Sequence, residues 1–61
     1  MRNLFYEYNV YGCLIFHYSD DNGERIKENY LFYPLKEAIQ RFREKHNLQR
    51  KHIRIEALYK N

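Results

Sequence analysis

Apolar and polar residues alternate over the first third of the chain, between Leu4 and Tyr18. The even-numbered positions of this segment are almost all apolar and the odd-numbered positions are mixed. A period of two residues is typical of a half-buried strand. Gly12 lies inside the segment and indicates a local bulge or bend, which would exchange the two faces beyond it and leaves open which face the helix covers there. The pattern predicts one long first strand whose even-numbered side chains face a core.

A turn signal ends this segment. Asn22-Gly23 lies between two strand-like runs, and this dipeptide favours a tight hairpin because both residues tolerate a positive φ. The run that follows, from Arg25 to Tyr33, carries apolar residues at alternating positions. The sequence therefore predicts a hairpin with a second strand at 25–33.

The apolar period then changes from two residues to three or four. Pro34 suits the first turn of a helix and ends the preceding strand. Leu35, Ala38, Ile39 and Phe42 follow at the spacing of one helical face. At the other end, Asn47 suits a left-handed capping position, with Leu48 folding back against the helix. One amphipathic helix is predicted, closing near Lys45 and His46.

Alternation returns from His52 to Tyr59 and predicts a third strand. A chain of 61 residues is expected to be a single domain, residues 1–61. The predicted fold is α+β, in the order ββαβ. It has a three-stranded antiparallel sheet of strand order 2-1-3, with the helix packed on one face.

One helix covers one face of a sheet, so the opposite face of the predicted sheet is open. Eleven of the 61 residues are Tyr or Phe, more than such a small core needs. A contiguous exposed apolar patch usually marks an interface, whereas scattered single residues need no explanation. We expect an aromatic open face that contacts a protein partner or a second copy, through Phe5, Tyr11, Ile15, Tyr33 and Leu58.

Charge is divided unevenly between the two halves. Residues 1–33 carry three basic and five acidic groups, net −2, whereas residues 34–61 carry eight basic and three acidic groups, net +5. A basic surface beside aromatic rings is typical of nucleic-acid binding. An ordinary solvated basic surface explains the same residues, because a net charge of +3 is unremarkable. The alternative function is therefore a nucleic-acid-binding module that uses Arg43, Arg50, Lys51 and Arg54.

Residues suited to catalysis or metal binding are sparse. Cys13 and the histidines at 17, 46 and 52 show no paired metal-ligand spacing. The acidic turn at 20–24 departs from the calcium-loop pattern, since Tyr18 occupies the position of the first aspartate. General acid–base catalysis needs at least two positioned titratable groups in a cleft. We expect no enzyme activity, no cofactor, no metal and no small-molecule substrate.

The predicted location is cytoplasmic and away from membranes. The first residues lack the features of a secretory signal, and the longest uncharged run, residues 8–19, is shorter than the ~20 residues that span a bilayer. A lone cysteine suits a reducing compartment. A small non-catalytic chain of this kind is typical of accessory and inhibitor proteins, such as those of phages.

Overall fold

The computed structural model describes residues 1–58. It contains four strands and one helix: β1 (Arg2–Tyr8), β2 (Leu14–Ser19), β3 (Arg25–Tyr30), α1 (Leu35–Lys45) and β4 (Ile53–Ala57). The strands form one sheet in the order β3-β2-β1-β4. The α+β class with a helix packed on a sheet is confirmed. The prediction of three strands in the order 2-1-3 is wrong.

The difference arises at residues 9–13, where the predicted long first strand turns back on itself. The Asn9 side-chain oxygen accepts hydrogen bonds from the backbone N–H groups of Tyr11 and Cys13, at 2.8 and 2.9 Å. Gly12 has a φ of 82°, a left-handed conformation that glycine adopts without strain. A hairpin replaces the predicted bulge, and β1 pairs antiparallel with β2 from Asn3–Ser19 to Tyr8–Leu14.

This extra reversal also changes the direction of the last strand. β4 lies beside β1, as predicted, but runs parallel to it, from the pair Arg2–Ile53 to the pair Tyr6–Ala57. The sheet is therefore mixed rather than antiparallel. The predicted third strand extends to Tyr59, which lies outside the described residues.

The β2–β3 hairpin is confirmed, with a different turn and a shorter second strand. Gly23 has a positive φ, of 85°, but Asn22 does not, so the turn is not the predicted two-residue type. β3 ends at Tyr30 instead of Tyr33, because Phe32 has a φ of 68° and cannot continue an extended strand.

The helix prediction is confirmed. α1 begins after Pro34 and buries Ala38 and Phe42 against the sheet. Asn47 takes the left-handed position with a φ of 58°. The N–H of Leu48 bonds the carbonyl of Arg43 at 2.7 Å, and the N–H of Asn47 bonds the carbonyl of Glu44. This pair of hydrogen bonds is the pattern of a Schellman cap.

The core lies between α1 and one face of the sheet. The even-numbered residues of β1 face the helix, and so do those of β2, which the sequence pattern left open because a bulge at Gly12 would have exchanged the two faces. Phe16 contacts the edge of Phe42 at a ring-centroid distance of 5.6 Å, and Tyr18 lies 5.4 Å from the same ring. The buried set is Leu4, Leu14, Phe16, Tyr18, Ala38, Phe42, Leu48 and Ile53.

Candidate interaction surface

Two hairpin turns of this protein have the same backbone geometry. In the first, the N–H of Asn9 bonds the carbonyl of Cys13 and the N–H of Gly12 bonds that of Asn9. In the second turn, the N–H of Asp20 bonds the carbonyl of Glu24, and the N–H of Gly23 bonds the carbonyl of Asp20.

The side chains that fix the two turns also correspond. The Asp20 carboxylate accepts hydrogen bonds from the N–H groups two and four residues later, as the amide oxygen of Asn9 does. Each turn therefore needs an Asn or Asp at its start and a glycine three residues later. The two central positions of each turn are free to vary.

The central residues of the two turns differ in chemistry. The second turn carries Asp21 and Asn22, which are polar and exposed, as expected of a solvated tip. The first turn carries Val10 and Tyr11, whose exposed fractions are 90% and 86%. Sequence reasoning missed this turn, although its signal is present: Asn9 and Gly12 repeat the spacing of Asp20 and Gly23 eleven residues later.

The β3–α1 loop presents a second apolar tip. Phe32 is 90% exposed and Leu31 is half exposed. Phe32 also has the left-handed backbone conformation, which is a strained one for a bulky residue. Neither the exposure of the Phe32 ring nor its left-handed backbone stabilises the fold.

Both tips lie at the same end of the sheet. Leu14, which follows the first turn, pairs with Tyr30, which precedes the loop. On the other side of β1, the N–H of Leu58 bonds the carbonyl of Tyr6 at 2.7 Å. Six of the seven exposed large hydrophobic residues in the described chain lie at this end. We call this set the apolar end: Tyr8, Val10, Tyr11, Leu31, Phe32 and Leu58.

The residues predicted to form an aromatic open face are not brought together. Phe5 and Ile15 lie on the open face, where they are half-buried. Tyr11 and Leu58 belong to the apolar end instead. Tyr33 is half-buried, with its ring 5.9 Å from that of Tyr30 and beneath the guanidinium of Arg41. The prediction is wrong for Tyr11 and Tyr33, because strands β1 and β3 both end before the predicted positions.

The four predicted nucleic-acid residues are also divided. Arg43 donates hydrogen bonds to the carbonyls of Leu48 and Lys51, at 3.0 and 2.9 Å, and so holds the α1–β4 loop. Arg54 lies on the open face and pairs with Glu56 at 2.6 Å. Arg50 and Lys51 are exposed on the loop that Arg43 holds.

One cluster of titratable groups lies between β3 and the end of α1. The largely buried Glu28 carboxylate accepts hydrogen bonds from Tyr30 at 2.9 Å and from His46 at 2.8 Å, and pairs with Lys45 at 3.0 Å. Burial raises the pKa of Glu28, but the bonds from Lys45, Tyr30 and His46 outweigh burial and leave the pKa below its ordinary value.

The same cluster affects Tyr30. Burial and the neighbouring carboxylate raise the pKa of the Tyr30 hydroxyl. All partners of the carboxylate come from β3 or the end of α1. We interpret this cluster as a structural link between these two elements.

Comparisons of this chain with protein-family models, with curated proteins and with solved structures gave no match. Among residues 1–58, no helix is long and apolar enough to cross a membrane. The same residues contain no group of three or more His, Cys, Asp or Glu side chains placed to hold a metal ion.

Proposed function

We propose that this protein is a non-catalytic binding module whose apolar end inserts into an apolar cleft of a different protein. The observation that carries the proposal is the contrast between the two matching turns. One geometry is built twice, once with a polar tip and once with Val10 and Tyr11. Because the fold does not require apolar residues at that tip, their exposure is best explained by a contact.

The shape of the apolar end favours a concave partner. Val10, Tyr11 and Phe32 each project almost completely into solvent. Exposed aromatic side chains of this kind act as anchors when a partner offers them pockets. A fully buried aromatic residue removes about 150–250 Å² from water, so two such anchors supply a large part of a standard interface of about 800 Å² per partner.

The charges of the apolar end favour an uncharged protein surface. Residues 8–14 and 29–35 contain no Lys, Arg, Asp or Glu. Phosphate groups and anionic lipid surfaces are recognised by Lys and Arg. A complementary partner surface at this end is therefore apolar and neutral.

Two depressions of the described residues show what a second copy of this chain would offer to the apolar end. The depression beside the N-terminal half of α1 is lined by Pro34, Gln40 and four charged residues. The depression on the open face combines apolar residues with two cations, Arg25 and Lys27. Both depressions carry charged side chains in their lining, which favours a different, neutral protein over a homodimer.

The matched variant for this proposal exchanges one tip for the other. Val10→Asp with Tyr11→Asn copies the residues of the second turn into the first. We expect the free energy of unfolding to change by less than about 0.5 kcal/mol, because both positions are exposed and both turn-forming residues are kept. The control is Asp21→Ala with Asn22→Ala, which changes the other tip.

Binding is measured by cross-linked capture from the native cell with nuclease present. We expect the unaltered protein and the control to retain the same partner, and the tip-exchange variant to lose it at least tenfold. Equal retention by all three proteins would refute the proposal. Sedimentation equilibrium distinguishes the homodimer: a dimer that the tip exchange dissociates would assign the apolar end to a second copy.

A further inference from the structure

The open face of the sheet carries a second surface with a different chemistry. Side chains alternate along each strand, so those pointing away from α1 share this face. It carries two large apolar residues, Phe5 and Ile15, both half-buried among polar neighbours. The remaining members are Asn3, Glu7, His17, Ser19, Arg25, Lys27, Asn29, Arg54 and Glu56.

The strand register places two rings and a cation in one row. Phe5 pairs with His17 across β1 and β2, and His17 pairs with Lys27 across β2 and β3. Ser19 pairs with Arg25 in the next row. These five residues, together with Tyr18 and Ile26, line one shallow depression. The depression therefore has ring surfaces at one side and two cations at the other.

Four carboxylates near this depression already have partners. Glu7 bonds the Nε2 atom of His17 at 2.7 Å, and Glu56 pairs with Arg54. In the adjacent turn, Asp20 accepts backbone hydrogen bonds and Asp21 pairs with the amino terminus. Within residues 1–58, neither cation of the depression forms an ion pair with a carboxylate.

We propose that the open face binds a single-stranded nucleic-acid segment, with a base stacked on Phe5 and His17 and its phosphates at Arg25 and Lys27. Base stacking on protein rings combined with cations along the backbone is how sequence-tolerant single-strand sites work. A sheet face admits unpaired bases, whereas the bases of a duplex are stacked inside it and are out of reach of these rings. The site is independent of the apolar end and uses none of its residues.

The test measures fluorescence anisotropy with a labelled twelve-residue oligo(dT) at low and moderate salt. Lys27→Ala is expected to weaken binding and to reduce the slope of log K against log salt by about 0.7, the value for one lost phosphate contact on a single strand. Phe5→Leu keeps an apolar side chain but removes the stacking surface, and we expect binding to weaken at least about fivefold.

Two control variants make the assignment specific. Arg50→Ala with Lys51→Ala removes exposed cations from the α1–β4 loop, and Val10→Asp with Tyr11→Asn alters the apolar end. Both are expected to bind oligo(dT) as the unaltered protein does. The proposal is overturned by no binding at low salt, by equal affinity for a duplex of the same length, or by a loss confined to the Arg50 and Lys51 variant.

Discussion

Phe32 combines two features that each work against folding. Its backbone lies in the left-handed region, and its ring is almost completely exposed. A left-handed conformation costs a residue with a β-carbon about 1–2 kcal/mol, although Asn adopts it more readily. Within residues 1–58, the other left-handed position without a glycine is occupied by Asn47. A residue chosen for stability alone at position 32 would be Asn or Gly.

Phe32→Asn is therefore expected to preserve or increase stability. The matched control is Phe32→Ala, which removes the same ring but keeps the backbone strain. We expect the Asn variant to have a free energy of unfolding higher than that of the Ala variant by about 0.5–1 kcal/mol. Urea denaturation followed by circular dichroism measures the difference. An Asn variant less stable than the Ala variant would show that the Phe32 backbone is not strained.

At the scale of elements, Glu28 joins β3 to the end of α1 through Tyr30, Lys45 and His46. The pKa of Glu28 in the folded protein lies below the ordinary value of 4.5. An acid with a lowered pKa stabilises the fold when it is ionised. Its contribution is fully present above pH 4.5 and is lost as the pH falls through the lower, folded-state pKa.

Glu28→Gln is expected to remove the part of the pH dependence of folding stability that comes from this carboxylate. At pH 7 the variant should be less stable than the unaltered protein, because the three donors lose a charged acceptor. The difference should shrink as the pH falls below 4.5. Urea denaturation between pH 3 and 7 measures it, with the exposed Glu44→Gln as a control. A difference that is constant with pH would show that the Glu28 charge contributes no stability.

The helix and the strands differ in how well the sequence predicts them. α1 and its cap are predictable because Leu35, Phe42 and Asn47 act through local spacing and local backbone geometry. The division of the first strand is harder, since the alternation of apolar residues continues through the turn: residues 4 and 14 both face the helix. A five-residue turn preserves the even-numbered face, so the pattern alone does not reveal it.

The candidate surfaces depend on that turn. A prediction without this turn places Tyr11 on a strand and makes β4 antiparallel to β1, whereas the two strands are parallel. The row of Phe5, His17 and Lys27 exists only through the pairing of three strands, which no local pattern contains. The chemistry of these three side chains can be read from the sequence, but their position in one row follows only from the register in which the strands pair.

At the scale of the whole molecule, the described aromatic residues form a buried core, a half-buried set around it and an exposed group. Phe16 and Phe42 are fully buried, and Tyr18 is nearly so. Tyr8, Tyr11 and Phe32 lie at the apolar end. The core is small, and Phe42 supplies the aromatic contact of α1 with the sheet, where its ring lies against those of Phe16 and Tyr18.

Phe42→Ala is expected to remove at least about a third of the free energy of unfolding. Truncating a buried Phe costs about 3–5 kcal/mol, and a domain of this length has a total stability of about 3–9 kcal/mol. Phe42→Leu leaves most of the volume in place and is expected to fold with reduced stability. Circular dichroism at 25 °C and urea denaturation distinguish these outcomes. A cooperative urea transition for Phe42→Ala within about 1 kcal/mol of the unaltered protein would mean that the contact between α1 and the sheet does not depend on this ring.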